Sequence, residues 1–139
     1  MQPSIESFLA EQSYRVTKGR VQVFKILQEA SRPLSTSNLI EQLPQINKTS
    51  IYRTIETFLA LGIITSIPHG WKQRYELSEP FKPHHHHLHC THCGQLSTIR
   101  SIQLESLIQS ISSDQNFRAI NHHFEINGIC HDCHNIPSD

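Results

Sequence analysis

The chain has 139 residues, 37% of them hydrophobic, and its 12 Lys/Arg are matched by 12 Asp/Glu. That length holds one ordinary domain or two small ones, and the zero formal charge excludes the overall basic excess that would by itself announce a nucleic-acid partner. No stretch approaches the roughly 20 apolar residues of a membrane span, and the opening "MQPSIESFLAEQS" lacks a signal-peptide pattern, so a cytoplasmic protein with no membrane partner is expected.

Residues 4–13 carry Ile5, Phe8 and Leu9 at helical core spacing. A second helix is expected from the capping Thr17 through "KGRVQVFKILQEA". In "RPLSTSNLIEQLP", Ser35 caps a short helix, Leu34 and Leu39 are placed as a hydrophobic staple, and Pro44 ends it. The fourth segment, "NKTSIYRTIETFLALG", starts at a capping Asn47 and stops at Gly62. Its Ile51, Ile55, Phe58 and Leu59 form one apolar stripe.

The opposite face of that helix presents Thr49, Arg53 and Thr57, with Ser50 and Tyr52 on its flanks. These side chains suit phosphates and base edges, and they gather toward the N-terminal end, where a major-groove helix makes its contacts. A solvated face of a helical bundle would look the same. Arg15, Lys18 and Arg20 are phosphate candidates or ordinary surface charges. "IITSIP" and "KQRYELS" then alternate as two strands about the turn "HGW". Helices followed by a hairpin predict a winged helix-turn-helix.

After residue 83 the composition changes. Residues 1–83 carry ten Lys/Arg against seven Asp/Glu; residues 84–139 carry two against five, with ten of the eleven histidines and all four cysteines. Cys90-x-x-Cys93 and Cys130-x-x-Cys133 lie 36 residues apart. In a cytosolic chain, two such knuckles suit one tetrahedral structural zinc. No thioredoxin-like βαβ pattern surrounds either pair, which disfavours a redox role. Gly94 allows the knuckle's sharp turn.

The run "HHHHLHC" reads as strand toward its end, so side chains alternate between faces. His84 and His86 point one way and His85 and His87 the other. One run can thus feed two sites, although a metal-sticky loop with no defined site is the plain alternative. Between the cysteine pairs, "SIQLESLIQSI" predicts a helix burying Leu104, Leu107, Ile108 and Ile111, with Glu105 at the stripe's edge. A strand over "FRAINHHFEINGIC" supplies His122 and His123. His84, His86, Glu105 and one of those two make a set suited to zinc or ferrous iron. On the other face, Glu76 is the nearest credible partner for His85 and His87.

Taken together, "RVTKGRVQVFKIL", "TSIYRTIETFLALGII", "RYEL", "HHHHLHCTHCG" and "GICHDC" resemble the ferric uptake regulator family of metal-dependent bacterial repressors. The resemblance spans roughly residues 14–133. It implies an α+β fold: a winged helix-turn-helix DNA-binding domain (1–77), a hinge (78–83) and a small α/β dimerisation domain with a four-cysteine zinc site (84–139). It implies that Tyr52 and Arg53 lie on the recognition helix and that Cys90, Cys93, Cys130 and Cys133 are the structural zinc ligands. It further implies a dimerisation-domain site of His84, His86, Glu105 and His122, selecting His122 over His123, and an interdomain regulatory site of Glu76, His85 and His87. The expected function is a homodimeric repressor of metal-homeostasis genes, responsive to zinc or ferrous iron, on a palindromic double-stranded DNA operator. The alternatives are a peroxide-sensing iron-dependent repressor, a histidine-rich metal buffer and a zinc hydrolase, the last opposed by four protein ligands that leave no water position. The chain departs from many iron-sensing members just before the third helix. Where they place a histidine it has Arg32 or Pro33, neither of which binds a cation.

Overall fold

The computed structural model describes residues 2–69 and 71–135. The chain divides into two compact units, residues 1–83 and 84–139.

The first unit begins with helices α1 (Ile5–Glu11) and α2 (Lys18–Glu29). Ser4 caps α1 by accepting the Ser7 amide, and Thr17 caps α2 by accepting the Arg20 amide. A two-residue strand β1 (Leu34–Ser35) leads directly into α3 (Thr36–Gln42). Here Ser35 accepts from the Asn38 amide while Asn38 accepts from the Ser35 amide, a reciprocal capping box. Helix α4 (Lys48–Ala60) starts at Asn47, whose side chain accepts from Thr49, and the chain turns away at Gly62, where φ is +71°. Such a backbone favours glycine because it has no Cβ.

Strands β2 (Ile64–His69) and β3 (Lys72–Leu77) form the hairpin, and β1 joins its outer edge to give the antiparallel order β1-β3-β2. Gly70, within the expected "HGW" turn, lies outside the described residues. The core of this unit is built from Leu9, Val23, Leu39, Ile51, Phe58 and Ile63, all essentially fully buried. Two details of α4 differ from the periodic reading. Leu59 is exposed, and Thr54 is buried in its place. The Thr54 hydroxyl donates to the Ser50 carbonyl at 2.8 Å, which lets a polar side chain enter the core with its donor satisfied. Segment 78–83 also packs into this unit. Phe81 is buried with its ring 5.2 Å from Phe8 and 5.1 Å from Phe24, both edge-on.

The second unit holds β4 (His86–Cys90), β5 (Leu96–Ile99), α5 (Ile102–Asp114), β6 (Glu125–Gly128) and the short α6 (His131–His134). Its sheet has the order β5-β4-β6, with β4 antiparallel to β5 and parallel to β6. Two expectations are corrected here. Only Glu125–Gly128 of the segment beginning at Phe117 is strand, so His122 and His123 precede it. The α5 stripe is not buried: Leu107 and Ile111 are each 56% exposed, and Leu104 and Ile108 are only half-buried. A unit this small lacks a layer to cover that face. Among the described residues no helix is long and apolar enough to cross a membrane.

Candidate metal centres and nucleic-acid face

The parallel pairing of β6 with β4 brings the distant cysteine pairs together. Cys90 faces Gly128 in register, and the Thr91 amide donates to the Gly128 carbonyl at 2.8 Å. The first knuckle closes through the Gly94 amide on the Cys90 carbonyl, 2.8 Å, with Gly94 at φ +80°. Cys130 caps α6, whose first turn carries Cys133. The four Sγ atoms lie within 4.8 Å of one another, and Cys93 Sγ to Cys130 Sγ is 3.8 Å. A tetrahedron with Zn–S near 2.3 Å has edges of about 3.8 Å, so the sulfurs fit a zinc ion.

The electrostatics favour the same reading. Amide donors from Cys93 (3.5 Å) and then Cys130 (3.3 Å) onto Cys90 Sγ lower its thiol to about 5. Burial and then the neighbouring sulfurs push Cys133 up to about 12. Four thiolates cannot ionise this close together unless a cation neutralises them.

A second cluster gathers His84, His86, Glu105 and His122. Strand β4 turns His86 inward until it is 2% exposed, and the first turn of α5 carries Glu105. His86 Nε2 lies 2.7 Å from Glu105 Oε1, and His122 Nε2 lies 2.9 Å from Glu105 Oε2. His84 Nε2 sits 3.2 Å from His86 Nε2 and 3.0 Å from His122 Nε2. A four-coordinate zinc with Zn–N of 2.0–2.1 Å has ligand edges of about 3.3 Å, so these donors fit with small adjustments. Burial opposes the Glu105 carboxylate, but the His86 hydrogen bond and the charges of His84 and His122 outweigh it and hold its carboxyl below the usual range. His123, the other sequence candidate, is exposed and outside this cluster. The ring of Phe124 stands edge-on to His86 at 5.8 Å and walls the site, a role that no spacing rule points to.

The opposite face of the histidine run is separate. The His85 and His87 rings lie 4.8 Å apart at 84° to one another. In the first unit, Glu76 is buried on β3, and Lys82 Nζ donates to its Oε2 at 3.2 Å. Lys82 was not among the sequence candidates, and an exposed-looking lysine six residues from a carboxylate gives no periodic signal.

On α4, Thr49, Ser50, Tyr52 and Arg53 are all exposed, Tyr52 to 54%. Beside α2, Arg15 and Lys18 are exposed, whereas Arg20 is held: its guanidinium donates to the Arg15 carbonyl at 2.6 Å and lies 5.8 Å from the Tyr14 ring centre.

A winged-helix unit joined to a second unit carrying a tetrathiol cluster and a histidine-carboxylate cluster is the architecture of a metal-responsive regulator. The chain belongs to the ferric uptake regulator family, whose model matches residues 11–127. It is 31% identical over 136 residues to the ferric uptake regulation protein of Bacillus subtilis, covering 93% of this chain and 91% of that one. It is 29% identical over 139 residues to the peroxide-responsive repressor PerR of Staphylococcus saprophyticus, covering 96% and 90%. Among solved structures, the Vibrio cholerae ferric uptake regulator matches with a TM-score of 0.75 at 27% identity, covering 90% of this chain and 98% of that one.

Proposed function

We propose that the protein is a cytoplasmic, homodimeric, metal-dependent transcriptional repressor that reads a palindromic operator through α4. The observation that carries this reading is the exposed polar face at the start of α4, with Thr49, Ser50, Tyr52 and Arg53 free to meet base edges and phosphates. The Vibrio cholerae relative is described as having DNA-binding domains, which supports the same role for residues 1–77 here. Arg15 and Lys18 contact phosphates, and Arg20 holds the Arg15 backbone in place.

Cys90, Cys93, Cys130 and Cys133 hold structural zinc. His84, His86, Glu105 and His122 bind a second ion, zinc or ferrous iron. Glu76, His85 and His87 are the regulatory donors, and a hinge within 78–83 pivots after the anchored Phe81. Capture of a cation by that last set favours the DNA-competent arrangement, so operator DNA must in turn tighten metal binding. The exposed apolar residues of the second unit, including Ile102, Leu107, Ile111 and Ile120, support burial against a second copy. A twofold dimer spaces its reading helices by about 34 Å, one DNA turn.

The test is operator affinity across a metal titration. Wild-type protein should tighten with added metal, His85→Ala/His87→Ala should lose that response, and Tyr52→Ala/Arg53→Ala should lose specific binding at every metal level. Equal affinity for operator in loaded and stripped wild-type protein refutes the proposal. The similarity to PerR supports a second reading, peroxide sensing with bound iron. It is told apart by mass spectrometry, which would find about +16 Da histidine adducts (one added oxygen) after peroxide treatment of iron-loaded protein.

A further inference from the structure

The wing sheet has another polar feature, used neither by α4 nor by the metal donors. Arg32, Pro33, Ser35, Asn38, Lys72 and Arg74 line a cleft of about 230 Å³ beside β1, the start of α3 and β3. The strand register brings its walls together, since Ser35 lies opposite Arg74. Three of the six residues are cationic and none is acidic.

The capping box adds direction to this charge. Asn38 Oδ1 accepts the Ser35 amide at 3.0 Å, and Ser35 Oγ accepts the Asn38 amide at 3.1 Å. With those oxygens engaged as acceptors, the groups left over are donors: the Asn38 side-chain NH2 and the Ser35 hydroxyl proton. Like charges gathered with surplus donors make a cleft suited to an anion. Guanidiniums offer paired N–H donors to tetrahedral oxyanions, and an ammonium adds a point charge. Five donor groups outnumber the two oxygens of a carboxylate and suit the four of a phosphate.

We infer that this cleft binds a phosphoryl anion, held by Arg32, Lys72 and Arg74 with Ser35 and Asn38 as neutral donors. The same chemistry is offered by a free phosphate and by the DNA backbone. The inference is independent of the metal reading, and only its DNA arm rests on operator binding.

The experiment uses the full chain with its tightly held metal left in place, in chloride buffer at constant ionic strength, titrated with inorganic phosphate. Heat of binding is recorded together with the fluorescence of Trp71, the single tryptophan, next to Lys72. Arg74→Gln and Arg32→Gln are compared with Lys25→Gln, which removes the same charge away from the cleft. Arg32 is exposed ahead of β1, so its variant keeps the fold, and a thermal melt verifies this for both. Saturable phosphate binding is expected in wild type and Lys25→Gln, weakened tenfold or more in the two cleft variants. In the second arm, the slope of log DNA affinity against log salt is measured. A slope smaller by about 1.8, about 0.9 for each protomer of the dimer, in Arg32→Gln assigns the cleft to a DNA phosphate. An unchanged slope with lost phosphate binding assigns it to a free anion. Phosphate binding that survives both cleft substitutions overturns the inference, as does its absence in wild type with an unchanged DNA slope. Failure to bind DNA at all would sink the repressor reading and leave the phosphate arm standing.

Discussion

Lys82 shows how one side chain can shape the response of a proposed metal donor. Its ammonium sits 3.2 Å from the buried Glu76 carboxylate and neutralises it while no cation is present. A metal recruiting Glu76 must displace that contact. Lys82→Met should therefore lower the melting temperature of metal-free protein, because a buried carboxylate loses a compensating charge 3.2 Å away, and should tighten regulatory-metal binding several-fold. Competition titration against a chromophoric chelator measures the second effect. Unchanged affinity would mean that Lys82 and the metal do not compete. Asn38 acts locally in a similar way. Asn38→Ala removes half of the capping box and should cost about 1 kcal/mol in urea unfolding, with an unaltered m value.

Among the elements, β4 does the most. Its pleat sends His86 toward Glu105 while its last residue, Cys90, receives amide donors at the thiol cluster. Cys130→Ser should abolish the tightly bound zinc, and since structural zinc contributes on the order of 10 kcal/mol to folding, the second unit should melt. The helical far-UV signal of α1–α4 should persist. Loss of zinc with no change in the second unit's hydrogen-exchange protection would contradict this. Glu105 predicts an acid limb to the stability curve of metal-free protein. Its carboxyl is held below the ordinary value, so its contribution is complete above the unfolded pKa of about 4.3 and is lost as pH falls through the lowered folded value. Glu105→Gln should flatten the fall in urea midpoint between about pH 6 and about pH 3. An identical fall in both proteins would place the acid sensitivity elsewhere.

For the whole molecule, the uncovered face of α5 matters most. Leu107 and Ile111 are more than half exposed on the same helix face, and neighbouring exposed apolar side chains of this kind mark an interaction surface. Leu107→Glu should shift the protein to a monomer in sedimentation and reduce operator affinity by an order of magnitude or more, since a monomer grips one half-site. A dimer that survives this substitution would mean that α5 is not at the interface.

Much of this was readable from local chemistry. Thr17, Ser35 and Asn47 announced their helices because capping involves neighbours three residues away or fewer. The four thiols and the division of the histidine run followed from donor type and strand alternation, both short-range properties. Burial of Thr54 rather than Leu59 was decided by the core around α4, where periodicity places both near the stripe's edge. His122 joins His84, His86 and Glu105 while its neighbour His123 does not, a choice that residue spacing left open and the chain's path into β6 made. The same holds for the cysteine pairs, which meet through β4–β6 pairing across 36 intervening residues, and for the cleft that joins Arg32 to Arg74. Contacts within one helical turn or one strand are written in the sequence's own period. Contacts between elements depend on which surfaces the folded chain brings face to face, and only the tertiary structure contains that information.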